Sequence, residues 1–225
     1  MGMSKEIKVR SFTDTIRWYN ENAKKYAKTT EEYPSPEQIE EFVSLLSPGN
    51  KILDAGCGGG RDTKLLHDKG LDSIGLDLSS GLIKVARKKY PNINFVEGSF
   101  LDLPFGNDSF DGIWAHASLL HLETVGDVKK ALSEFQRVLK PNGVMHTLVK
   151  AQTGLEKTAI VSDRTSGHER FFQYFTQDEI ATLLREAGFA EIKTEQYRET
   201  DRNPNGRPEV EWILTLSKKD SNSSK

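Results

Sequence analysis

Only one cysteine, Cys57, occurs in the 225 residues. That excludes an internal disulfide framework and a cysteine-based zinc site. No apolar run approaches the roughly 18 residues a membrane-spanning helix needs, and the opening MGMSKEIKVR has no apolar signal core. An excess of one charge is missing too. Lys and Arg number 31 against 33 Asp and Glu, a net charge of −2, so nothing global marks a nucleic-acid binder. The short basic clusters Arg87-Lys88-Lys89 and Lys218-Lys219 read as solvated surface. Repeats and low-complexity linkers are also lacking. These absences predict one cytoplasmic domain over residues 1–225, with no membrane contact.

What is present is a clear change of period. Phe12, Ile16, Tyr19, Ala23 and Tyr26 recur at spacings of three and four, which predicts an amphipathic helix over 12–27 with an aromatic stripe. Ser35, Pro36 and Gln38 predict a second helix start, Ser35 capping and Gln38 completing a capping box. Short strand patterns then alternate with helical ones. Strands are expected at Lys51–Ala55, Asp72–Leu76, Ile93–Glu97, Phe110–Ala115 and Val144–Val149. Such alternation builds right-handed crossovers and a mostly parallel sheet. The last two strand patterns, Ala190–Tyr197 and Glu211–Ser217, have only a turn-rich connection between them and should pair antiparallel. The expected fold is an α/β three-layer sandwich around a seven-stranded sheet with its last strand reversed. Residues 1–48 would lie over the binding end, 49–150 would form the binding core, and 151–217 would supply a substrate loop and the C-terminal strands.

The segment KILDAGCGGGRD, residues 51–62, carries the most chemistry. Glycines packed after a strand and before a helix let a ligand approach bare main chain. A dinucleotide fingerprint using Gly56 and Gly58 needs glycine at position 61, where Arg61 stands. Asp54 at the strand end would repel a pyrophosphate and suits a cationic ligand. S-adenosylmethionine is such a ligand, with an ammonium, a sulfonium and no phosphate.

ILDAGCGGG resembles the first motif of the class I S-adenosylmethionine-dependent methyltransferases, and SIGLDLS is similar to their second. NFVEGSFLDLPFGNDSFDGIWAHASLLHL and RVLKPNGVM follow in the family's order, and the resemblance runs over residues 12–217. It implies a methyltransferase that moves a methyl group from S-adenosylmethionine to O, N, S or C of a small-molecule acceptor, leaving S-adenosylhomocysteine. By resemblance Asp54, Gly56, Cys57, Gly58 and Gly60 line the methionine end, Asp77 holds the ribose and Leu78 lies against the adenine. Ser99 stands where many members have an Asp for the adenine amino group, with Phe100 beside it. Ala115 and His116 meet cofactor and substrate, and Tyr19 and Tyr26 cap the cofactor. An RNA or protein methyltransferase of the same fold and a non-catalytic cofactor binder remain as alternatives.

In-line methyl transfer needs alignment and at most one proton removal, and no covalent enzyme intermediate. His116 is the candidate catalytic residue: it orients or deprotonates the acceptor, or else bonds the cofactor or a backbone carbonyl. The irregular stretch 154–175 supplies candidate substrate contacts in His168, Arg170 and Tyr174, to which His121 and Arg207 are added. The histidine spacings match no metal-ligand motif, so no metal is expected.

Overall fold

Side chains along a strand alternate between two faces, and here the two faces bury different helices. The computed structural model describes residues 12–33, 35–47, 49–162 and 169–220. Its main sheet has the order β3-β2-β1-β4-β5-β9-β8. These strands are β1 (Lys51–Ala55), β2 (Asp72–Asp77), β3 (Asn94–Glu97), β4 (Phe110–His116), β5 (Leu139–Lys150), β8 (Phe189–Arg198) and β9 (Glu211–Lys219). The first five pair in parallel, and β9 runs antiparallel to both its neighbours. The sheet is therefore seven-stranded with the last strand reversed, as the sequence predicts.

One face carries Ile52, Trp114 and Leu148, covered by α2 (Pro36–Val43) and α3 (Arg61–Asp68). The opposite face carries Leu53, Ile113 and Val149, covered by α5 (Val125–Val138) and α6 (Gln177–Glu186). Phe42, Trp114 and Phe135 are wholly buried, each contributing about 1.5–3 kcal/mol by removal from water. The remaining long helices stack outside this core. α1 (Phe12–Thr30) packs Trp18, Tyr19 and Ala23 on Leu82 of α4 (Ser80–Lys89). Asn20 pins the contact, its Oδ1 accepting from Ser79 Oγ at 2.8 Å and from Gly81 N at 2.9 Å. That clamp fixes the aromatic stripe of α1 above the carboxyl ends of β1 and β2.

Four local features depart from the sequence reading. Residues 158–162 and 169–173 form a two-stranded antiparallel hairpin, β6 with β7, where no regular element is predicted. Their apolar residues are contiguous, Ala159-Ile160-Val161 and Phe171-Phe172, so the sequence shows no strand alternation there. β5 begins five residues early, because Leu139 pairs with Phe110 before the register shifts to Gly112 opposite Val144. Ser35 is the N-cap of α2 but its side chain makes no capping bond, so the expected capping box is absent. By contrast Thr176 and Glu179 form a complete box at α6. A short helix, α7 (Glu199–Arg202), opens the turn-rich connection before β9. Among the described residues no helix is long and apolar enough to cross a membrane.

Candidate functional site

In an open parallel sheet the ligand crevice lies beyond the carboxyl ends of the strands, where the chain order reverses. Here that point lies between β1 and β4, and a cavity of about 520 Å³ opens over it. Its floor is the glycine turn. Gly56 N and Cys57 N both donate to the Leu76 carbonyl, at 2.7 and 3.0 Å, which joins the end of β1 to the end of β2. Gly56 has φ 86°, and a Cβ there would stand 2.3 Å from Ser118 Cβ. The same holds at Gly60, where a Cβ would meet the Phe95 ring at 2.7 Å. Most of the turn thus excludes side chains to admit protein neighbours rather than a ligand. Gly58 is the exception: it lines the cavity, and a Cβ there would have only the Tyr26 ring within 4 Å, at 3.8 Å.

Three carboxyl groups line the floor. Asp54 is buried and accepts from Thr63 Oγ1 at 2.6 Å. Burial, then the charge of Asp62, push its pKa up to about 8. Asp62 differs although it is equally buried. Burial raises it, but Arg61 bonds it bidentately at 2.6 and 2.9 Å and Trp114 Nε1 adds a third bond, so it settles at about 2. Asp77 ends β2 and accepts from Gly58 N at 2.9 Å and Ser79 N at 2.8 Å. Burial still raises its pKa despite those bonds. Asp54 is therefore a carboxylate in want of a cation, and Asp77 has lone pairs to offer the cavity.

The cavity wall brings together Tyr19, Tyr26, Asp54, Gly56, Cys57, Gly58, Asp77, Leu78, Ser99, Phe100, His116 and His121. Gly60 and Ala115, expected among the cofactor contacts, do not reach it; Ala115 is wholly buried in the core under α5. Three expected acceptor contacts lie off this wall. Arg170 packs its guanidinium 5.2 Å from the Trp18 ring centroid and 5.3 Å from that of Phe172, and donates to Tyr19 Oη at 3.0 Å. Tyr174 and Arg207 lie off the wall, the latter paired with Glu199 at 3.1 Å. His168 lies outside the described residues.

His121 accepts from Tyr19 Oη at 3.1 Å, because its Nδ1–H is committed to the Phe171 carbonyl at 2.8 Å. Burial, then the nearby Arg170 charge, hold its pKa down at about 3. This chain of bonds ties the β6–β7 hairpin to α1 across the cavity rim. Burial lowers His116 to about 4, so it too is neutral near pH 7. The cavity also has a wall the motifs do not reveal. Ser35, Gln38, Tyr197, Arg202 and Trp212 line it, from α2, β8, α7 and β9. Gln38 Nε2 donates to Tyr197 Oη at 2.8 Å, across 159 residues of sequence. Its only sequence signal is two aromatics, Tyr197 and Trp212, in strands that read as half-buried.

Against known proteins, residues 53–147 match the family model described as a methyltransferase domain. The O-methyltransferase rstn1 of Aspergillus nomiae is 30% identical over 164 residues, covering 68% of this chain and 69% of that protein. The chain belongs to the class I S-adenosylmethionine-dependent methyltransferases. A demethylmenaquinone methyltransferase of Renibacterium salmoninarum is 28% identical over 165 residues, 64% of this chain and 68% of that one. The fold is shared with a Burkholderia thailandensis 1,6-didemethyltoxoflavin-N1-methyltransferase solved with its substrate and S-adenosylhomocysteine: TM-score 0.70, 21% identity, 93% of this chain and 87% of that.

The methyltransferase cofactor can be tested against the residues present. Asp54, destabilised as an anion, suits the ammonium of S-adenosylmethionine, and the open face of Gly58 is space a Cβ would fill. Asp77 at the strand end suits a pair of ribose hydroxyls. Ser99 Oγ already accepts from Leu101 N at 3.1 Å, which leaves its proton for an adenine nitrogen. The set fits. Among the described residues no group of three His, Cys, Asp or Glu could hold a metal ion.

Proposed function

We propose that this methyltransferase acts on a small molecule bound against Ser35, Gln38, Tyr197, Arg202 and Trp212, with Asp54, Gly58, Asp77, Leu78, Ser99 and Phe100 holding S-adenosylmethionine. The bound cofactor supplies an electrophilic methyl group on sulfur. One observation carries the reading: a single cavity joins both walls, and His116 stands at the end of β4, between β1 on the cofactor side and β5 and β9 on the other. A cavity of about 520 Å³ suits a cofactor and a compact acceptor, within the range of about 300–1,000 Å³ usual for small-molecule sites. The enclosing wall is aromatic and apolar at Tyr197, Trp212 and Leu148, which favours a planar ring. Its neutral histidines do not repel an electrophilic sulfonium.

Calorimetric titration with S-adenosylhomocysteine, using NAD as the control, tests the assignment. Micromolar binding of the first alone supports it. Binding of NAD, or of neither, overturns it.

A further inference from the structure

Behind His116 lies a second histidine, His146 of β5, which no motif singles out. It is wholly buried and takes no direct part in the cavity wall. Its ring stacks on Trp114 with centroids 3.8 Å apart and planes 13° from parallel. His146 Nε2 lies 3.1 Å from His116 Nδ1, and His116 Nε2 lies 3.2 Å from Ser35 Oγ. We propose that His146 is a positioning residue that fixes His116 as its Nε2–H tautomer, so that His116 offers the acceptor a hydrogen-bond donor rather than a base. The proposal rests on the reading of the cavity given above.

Counting protons leads there. One hydrogen stands between the two rings, and two neutral arrangements place it. If His116 Nδ1–H donates, then His146 carries its own proton on Nδ1. That atom is buried and has no hydrogen-bond partner among the described residues. If His146 Nε2–H donates, its Nδ1 is left with a bare lone pair instead. An orphaned buried N–H is the rarer and costlier of the two. The second arrangement therefore holds, and it forces the remaining proton of His116 onto Nε2, facing Ser35 and the cavity. Both rings are neutral, since burial lowers His116 to about 4 and drives His146 well below its ordinary value. Asp62 of α3 favours protonation of both rings; Arg61 of α3 opposes it at His116, and Arg202 of α7 at His146. Trp114 covers one side of His146, and Ser35 of α2 is the partner on the cavity side.

A donor at this point selects a class of acceptor. The methyl-receiving atom must arrive with its lone pair already free, as a phenolate, an enolate, a carboxylate or an unprotonated nitrogen. His116 Nε2–H, after exchanging Ser35 for the substrate, then bonds the acceptor and aligns it.

The test is spectroscopic and needs no acceptor. Protein labelled with 15N at its five histidines gives long-range 1H–15N correlations that separate the two neutral tautomers from the imidazolium. A His116→Gln sample assigns the His116 signals. Neutral Nε2–H rings at both His116 and His146, from about pH 6 to about pH 8, are the expected result. An Nδ1–H form at His116, or a charged ring at pH 7, overturns the proposal. In His146→Leu the His116 signals should move toward a mixture of tautomers; a pure Nε2–H signal there would show that His146 sets nothing. The wild-type spectrum decides the tautomer even where that variant does not fold. Failure of S-adenosylhomocysteine to bind would overturn the methyltransferase site while leaving the tautomer as measured, so the two failures are distinct.

Discussion

The two walls of the cavity are built on opposite plans. The cofactor wall is mostly main chain from one short stretch and the strand beside it: Gly56, Cys57 and Gly58 fold onto Leu76 and Asp77 through four backbone donations, counting that of Ser79. The proposed acceptor wall is all side chains, brought from α2, β8, α7 and β9 and held by contacts among themselves, Gln38 on Tyr197 and Arg202 over the Tyr197 ring at 4.1 Å. A wall of main chain tolerates few substitutions. A wall of separate side chains can change residue by residue, which is how one fold serves many acceptors.

The largest effect is expected at Gly56. Its φ of 86° and the 2.3 Å approach to Ser118 Cβ mean that Gly56→Ala is both strained and clashing. Denaturant unfolding should show a loss of about 3–5 kcal/mol. Gly49→Ala is the control, with φ 83° but no atom of the described residues within 4 Å of the new Cβ, and should cost only about 1–2 kcal/mol. Equal losses would mean that the Ser118 contact does not matter. The next largest effect separates the walls by binding. Asp77→Ala should weaken S-adenosylhomocysteine by about 2–4 kcal/mol through loss of charge-assisted bonds. Trp212→Ala, on the acceptor wall, should leave that affinity within about 0.5 kcal/mol. A comparable loss in both variants would show that the walls are not separate.

The same contrast explains how much could be read in advance. The mostly parallel seven-stranded sheet, the turn and the strand-end positions of Asp54 and Asp77 were legible because each rests on local pattern: apolar alternation, glycines after a strand, an Asp at a strand end. Asp54 showed its preference for a cation even in sequence, by standing where a phosphate would be repelled. Ser35 was legible as a helix start but not in its role, since nothing local says that its hydroxyl turns to a histidine 81 residues on. The packing of Arg170 was not legible for the same reason. Its aromatic partners, Trp18, Tyr19 and Tyr26, lie on a helix some 150 residues earlier, and only tertiary packing brings them within 6 Å. His146 gave no functional signal, standing beside Thr147 in the otherwise apolar run Val144–Val149.

A smaller effect follows from the raised pKa of Asp54. A carboxyl held at about 8 in the folded chain and near 4 when unfolded favours the fold below pH 4. That contribution falls away as pH rises through about 8, so the free protein should lose stability across this window. An ammonium placed beside Asp54 reverses the sign locally by drawing its pKa down. Binding of S-adenosylhomocysteine near pH 7 should therefore release protons, up to about one per site, read from calorimetry in buffers of different ionisation enthalpy. Asp54→Asn should abolish the release. Undiminished release in that variant would move the effect elsewhere.

The smallest effect tests whether the acceptor wall takes residues away from structural duty. At α6 the Thr176 hydroxyl accepts from Glu179 N at 3.2 Å and Glu179 returns a bond at 3.0 Å, so Thr176→Ala should cost about 1 kcal/mol. Ser35 holds the equivalent position at α2 yet contributes no capping bond, its Oγ lying 3.2 Å from His116 Nε2 instead. Ser35→Ala should accordingly change unfolding free energy by no more than about 0.5 kcal/mol. Should Ser35→Ala cost as much as Thr176→Ala, Ser35 would be an ordinary cap and the His116 contact incidental. Should it cost little, the hydroxyl is spared by the helix and is free to change partners when an acceptor enters.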